Sequence, residues 1–210
     1  MVKNGFRYRL ARLACILALF AMVPEGVAAA QTFKLRFGAE WGTTEKFYEG
    51  HHYSFLTEDF MRVDDTITRV EFGTNAFILG NVGVSIADFL TFSLCSGYMG
   101  VSKTRSLVPL TGKFTITPKG CYSDGILAYL DAGFGFYNIA EIPDLLARMG
   151  AGYRYMLGNR LSLDFQGGIQ MTVDHPELWD GVQQEFVPEN RIRANDAVYL
   201  ALTLSAVLSF

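Results

Sequence analysis

The chain has 210 residues, of which 50% are hydrophobic, 14% aromatic and 19% charged, with a mean hydropathy of +0.19 and a formal net charge of −3. That length suits one domain, and so many aromatics with so few charges exclude a disordered chain. Beyond the first thirty positions there is no run of about 20 apolar residues, which excludes a bundle of membrane-crossing helices.

Lys3, Arg7, Arg9 and Arg12 precede an apolar stretch from Leu13 to Val23, followed by Pro24 and by Ala28, Ala29 and Ala30 before Gln31. A basic start, a short apolar run and an Ala-x-Ala site predict a secretory signal peptide over residues 1–30, cut between Ala30 and Gln31. The apolar run spans only about 16 Å as a helix, too short for a hydrocarbon core of ~30 Å. Cys15 does not sit in a lipoprotein box, because Arg12 lies three residues before it and the apolar run continues past it. Removing four basic residues and Glu25 leaves residues 31–210 with 14 Lys+Arg against 20 Asp+Glu. An acidic chain lacks the basic patch that a nucleic-acid partner requires.

From Phe33 onward the apolar residues recur with period two, the signature of strands rather than helices. Phe33, Leu35, Phe37, Ala39 and Trp41 oppose Lys34, Arg36, Gly38 and Glu40. The second run, from Val70 to Ile86, keeps one parity, with Glu71, Gly73, Asn75, Asn81, Gly83 and Ser85 opposite; Phe77 and Leu79 alone interrupt the polar face. Six further runs follow: Leu90–Tyr98, Val108–Ile116, Ile126–Phe136, Met149–Leu157, Leu161–Val173 and Val198–Phe210. None of the eight apolar faces carries Asp, Glu, Lys or Arg. A charge at the bilayer midplane of a barrel costs about 2–4 kcal/mol, so uncharged faces are what lipid demands, whereas a soluble sandwich would point its charges outward. Eight is the smallest strand number of such barrels, and closure satisfies every backbone N–H and C=O. The predicted fold is all-β: an eight-stranded antiparallel up-and-down transmembrane β-barrel over residues 31–210.

Short links at Ala87–Phe89 and Gly158–Asn159, and the longer Thr117–Gly125, fall on one end of the barrel. The long segments 42–68 and 174–195 fall on the other as external loops. The signal peptide, eight runs and a final strand ending in an aromatic residue resemble a small Gram-negative outer-membrane barrel of the OmpA/OmpX type, without the peptidoglycan-binding domain of full-length OmpA. The resemblance implies export through the Sec pathway, a monomer in the outer membrane among lipids and lipopolysaccharide, and periplasmic chaperones as partners during biogenesis. It also implies that the barrel-assembly machinery reads Tyr199, Leu204, Leu208 and Phe210.

Inward parity collects Lys34, Arg36, Arg69, Lys113, Arg148 and Arg154 with Glu40, Glu71, Asp131 and Asp164. Eight strands leave a lumen just wide enough for side chains, and unpaired buried charges are costly, so these ten predict a salt-bridged plug; a gated ion path is the alternative. Interior glycines at 38, 73, 83, 133, 135, 150, 152 and 168 leave room for local voids, which keeps the ion path open as the alternative. His51, His52 and His175 all fall in external loops without metal-ligand spacing, so no metal or cofactor is expected. His52-Tyr53-Ser54 is similar to the His-x-Ser of the lipid A deacylase barrel, but Phe55 and Leu56 follow where that family has Asn and a small residue on a late strand. The chain therefore reads as non-enzymatic, with a structural or surface-interaction role and an extracellular ligand as partner for the loops 42–68 and 174–195. Cys95 is inward in mid-strand and Cys121 lies in a link, so a disulfide between them requires that link to tuck into the lumen.

Overall fold

The computed structural model describes residues 34–102, 105–137, 143–181 and 183–210. The expected signal peptide, its Ala30–Gln31 cleavage site and Phe33 lie outside the described residues. Among the described residues eleven strands occur in chain order: β1 (Leu35–Leu56), β2 (Arg62–Arg69), β3 (Gly73–Ala87), β4 (Leu90–Gly100), β5 (Ser106–Ile116), β6 (Gly125–Phe136), β7 (Asp144–Met156), β8 (Ser162–Asp174), β9 (Trp179–Asp180), β10 (Glu185–Phe186) and β11 (Ile192–Ser209). Eight of them, β1, β3 to β8 and β11, pair antiparallel with their neighbours, and β11 closes on β1. The fold is thus all-β with a closed eight-stranded antiparallel barrel.

The register sets the width of the barrel. Followed around the wall from Ala39, through Gly80, Ser96, Leu110, Phe134, Leu145, Val173 and Val198, it returns to β1 at Gly50. One residue of that offset is Phe47, a bulge between Lys46 and Tyr48. A stagger of about ten residues over eight strands ~4.8 Å apart gives a tilt near 40° and a backbone radius of about 8 Å. Side chains fill such an interior.

Alternation places the apolar set outside. Ile126, Ile78, Met149 and Leu204 are each at least 60% exposed, whereas Arg148, Asp131 and Glu40 are at most 1% exposed. Aromatic rings gather near the end that holds the short links, in the contacts Phe37–Phe210, Phe92–Phe114, Tyr153–Tyr155 and Tyr155–Phe165. Phe77 and Leu79, the two interruptions of the polar face, point inward and pack with Met99, Val101, Leu107, Leu146, Ala197 and Tyr199. The lumen therefore has an apolar tier above a charged one. Interior glycines do not open voids at Gly150 and Gly168: a Cβ at Gly168 would meet the Tyr129 hydroxyl at 2.4 Å, so the missing side chain admits that ring.

The expected external loop 42–68 is instead mostly strand. β1 runs on to Leu56 and pairs with β2 on one side and with β11 on the other, so three strands continue above the barrel as a crown. The bulge at Phe47 reverses the facing of the residues beyond it, which hid this continuation from a period-two reading. Phe55, Leu178 and Val187 form a second small core there, flanked by Tyr53, Val63 and Ile192. The segment 174–195 contributes the β9–β10 hairpin, a single 3-10 turn at Glu189–Arg191 and the start of β11.

Leu79 and its outward neighbour Ile78 separate inside from outside. Leu79→Ala should cost about 2–5 kcal/mol in urea titrations of the detergent-folded chain, while Ile78→Ala should cost below about 1 kcal/mol. Equal losses would place the packed core elsewhere.

Candidate functional site

The charged tier is built by residues from five strands, β1 and β5 to β8. Arg148 on β7 donates from Nε to Asp131 Oδ2 at 2.9 Å, also reaches Asp131 through Nη2, and donates from Nη1 to Glu40 Oε1 at 3.0 Å. The second Glu40 oxygen accepts from Lys113 Nζ at 2.8 Å, and the same ammonium reaches Gln166 Oε1 at 2.7 Å. Register explains the convergence: Lys113 lies directly opposite Asp131, and Asp131 opposite Arg148, so the side chains meet across β5, β6 and β7. Lys113 also lies over the Tyr129 ring and Arg148 over the Phe77 ring, at 4.6 and 5.2 Å, which seats the upper cation against the apolar tier.

Lower in the lumen, Arg154 grips Asp164 with two bonds of 2.7 and 2.6 Å from the directly opposite position on β8. The link after β5 folds into this end. Cys121 is buried, and its carbonyl accepts from Arg154 Nη1 at 2.9 Å and from Arg36 Nη1 at 3.1 Å. A carbonyl with two lone pairs suits two guanidinium donors. The tuck that a disulfide would require is present, yet Cys95 and Cys121 are free thiols. Cys121 Sγ lies 3.2 Å from Thr91 Oγ1, four residues down β4 from Cys95, or about 13 Å along the strand. A disulfide needs Cα atoms within about 7 Å.

Of the ten residues expected to line the lumen, Arg36, Glu40, Lys113, Asp131, Arg148, Arg154 and Asp164 are buried there. Three are corrected. Lys34 is exposed at the barrel mouth, over the Tyr122 ring at 5.0 Å. Arg69 ends β2 opposite Glu49 in the crown, and Glu71 is exposed between β2 and β3; the barrel strand begins only at Gly73, so their parity carries no meaning. Of the residues placed in the assembly signal, Leu204 and Phe210 are exposed on the outer face and Leu208 is half-buried, while Tyr199 is buried in the apolar tier.

Paired polar groups hold the crown. His51 Nε2 lies 2.9 Å from Asn195 Oδ1, His52 Nε2 3.2 Å from Asp64 Oδ1 and His175 Nε2 3.3 Å from Asp196 Oδ1. Arg191 bridges Glu58 and Glu185 at 3.5 and 3.3 Å, tying the β1–β2 hairpin to β10. Burial, with the Asp65 carboxylate beside its hydroxyl, pushes the Tyr53 phenol above its usual range. Ser54 Oγ accepts from Arg62 Nε at 3.2 Å. Among the described residues no group of three or more His, Cys, Asp or Glu is arranged to hold a metal. The sequence reading missed Gln166, Tyr129 and the Cys121 carbonyl as members of the lumen network; inward parity was a usable signal for the first two.

A scan of protein-family models finds no match to this chain, and no curated protein matches it.

Replacing Arg148 by Met strands Asp131 in the interior and leaves Glu40 with Lys113 alone. The variant should lose about 3–5 kcal/mol of folding stability, and adding Asp131→Asn should return part of it, because the two sites are coupled. Urea titration read by heat-modifiable gel mobility checks both values. For the cysteines, Ellman titration of the unfolded, unreduced chain from residue 31 onward should find both thiols, and the folded barrel should hide both.

Proposed function

We propose that this chain is an integral outer-membrane β-barrel protein of the small Gram-negative type, exported by the signal peptide and acting as a monomer. Its role is structural or surface-interacting, without enzymatic activity, and the crown is the part offered to an extracellular ligand. One observation carries the reading: polarity is reversed relative to a soluble barrel. Ion pairs fill the inside, while Leu35, Ile78, Leu94, Leu110, Ile126, Met149, Ile169 and Leu204 stand exposed outside. Dissolved monomers rarely expose a contiguous apolar patch beyond a few hundred Å². On β7 the outward set from Leu145 to Tyr155 holds no charge, a height of about 25 Å at this tilt, which matches the apolar band of membrane barrels. The aromatic ring contacts lie at one margin of that band, where interfacial girdles form.

Lumen packing supports a plug over a pore. Glu40, Lys113, Arg148 and Asp131 block the middle, and Phe77, Leu79, Met99 and Leu146 fill the level above. Partner choice in the crown supports the non-enzymatic reading: Ser54 is buried on Arg62 while His52 engages Asp64, so neither is set up as the nucleophile–base pair of an acyl transferase.

Met149→Arg or Ile169→Arg should cost about 2–4 kcal/mol in vesicle-folded protein, with little effect from Arg193→Met in the crown. In cell fractionation the protein should stay with the outer membrane through high salt and leave it only with detergent. Release into the soluble fraction would defeat the membrane reading, and discrete conductance steps in planar bilayers would defeat the plug.

A further inference from the structure

The lower lumen has one cation too many. Arg36, Lys113, Arg148 and Arg154 are all buried, and they share three buried carboxylates. Glu40 takes Lys113 and Arg148, Asp131 takes Arg148, and Asp164 gives both oxygens to Arg154. Arg36 is left with neutral acceptors, the Cys121 carbonyl and Ser162 Oγ, each at 3.1 Å, and with the face of Tyr122. Among the described residues no carboxylate forms an ion pair with it. An uncompensated guanidinium in an interior this narrow is unfavourable unless a counter-charge enters.

Space for one exists beside it. A cavity of about 30 Å³ is lined by Arg36, Lys113 and Arg154, with Asn81, Ser93 and Thr115 adding an amide and hydroxyls as donors. About 10–15 Å³ of such volume admits a water, so this cavity has room for a small monovalent ion or a pair of waters. Three cationic walls exclude a metal ion, and Asp164 on the same wall is already doubly engaged. We propose that this cavity binds one small monovalent anion of the halide class, chloride under ordinary conditions, as the missing counter-charge of Arg36. Such an ion completes the pairing of the lower tier and stabilises the folded barrel in proportion to its occupancy. The inference rests on the lumen alone and is independent of what the crown binds.

The test uses the full barrel folded in zwitterionic detergent, with sodium chloride compared against sodium gluconate, an anion too large for the cavity, at equal ionic strength. Chloride should raise the urea midpoint by roughly 0.5 M, saturating with concentration, and Arg36→Met should abolish the difference while the exposed Arg193→Met retains it. Identical midpoints in the two salts, or a chloride effect that survives Arg36→Met, would overturn the proposal. Should Arg36→Met fail to fold, crystals of the unaltered protein grown in sodium bromide decide. An anomalous peak between Arg36, Arg154 and Lys113 supports the site, and its absence with waters in the cavity rejects it.

Discussion

A barrel of eight strands with a stagger near ten encloses an interior too narrow for bulk water, and the remaining organisation follows from that constraint. Any ionised group pointing inward loses its hydration and must recover it from protein partners. Arg148, with Asp131 on one side and Glu40 on the other, shows the solution: a planar fork whose donors are matched to carboxylates at opposite registers of the wall. Glu40 then serves Lys113 with its other oxygen, so β1, β5, β6 and β7 are joined through one carboxylate and two cations. Backbone hydrogen bonds join neighbouring strands only. These side chains reach across the lumen and fix its cross-section.

Stacking an apolar tier on the ionic one serves both. Phe77 lays its ring against the Arg148 guanidinium and at the same time belongs to the cluster with Leu79, Met99 and Leu146. Exclusion of water above the ion pairs lowers the local dielectric and strengthens them, while the rings and methyl groups gain a packed floor. At the other end the Thr117–Gly125 link performs the corresponding closure. Its Cys121 carbonyl is drawn in because two arginines at that level have more donors than the wall has acceptors.

The barrel was legible in the sequence because each strand faces two different surroundings, and period-two chemistry records both. Phe77 and Leu79 were visible as the interruption of a polar face, though only their packing shows that they form a tier rather than a lapse. Legibility failed where alternation stops carrying environmental information. The crown part of β1 mixes polar and aromatic residues on both faces and begins at a one-residue bulge, so its alternation does not mark it as a strand. Arg69 and Glu71 share the inward parity of β3 but lie upstream of Gly73, in a stretch exposed to solvent where parity has no inside to record. Gln166 and Tyr129 had the right parity but no charge to draw attention. A main-chain carbonyl such as that of Cys121 has no sequence signal at all.

Rigidity in the wall and the crown arises from different interactions, and that difference bears on what each can do. The wall is held by a continuous hydrogen-bonded ring and by ion pairs between buried partners, so a local change is felt around the whole circumference. The crown rests on three strands, a core of a few residues, and links such as Arg191 to Glu58 and Glu185 that are half exposed and correspondingly weak. Stability is therefore graded along the barrel axis, highest at the Arg148 tier and lowest at the β1–β2 hairpin tip, where Phe60 and Met61 stand free in solvent. A surface that adapts to a ligand needs the low end of such a gradient, and a scaffold that keeps it in place needs the high end. Because the two meet on the single strand β1, the bulge at Phe47 is where the chain passes from one regime to the other.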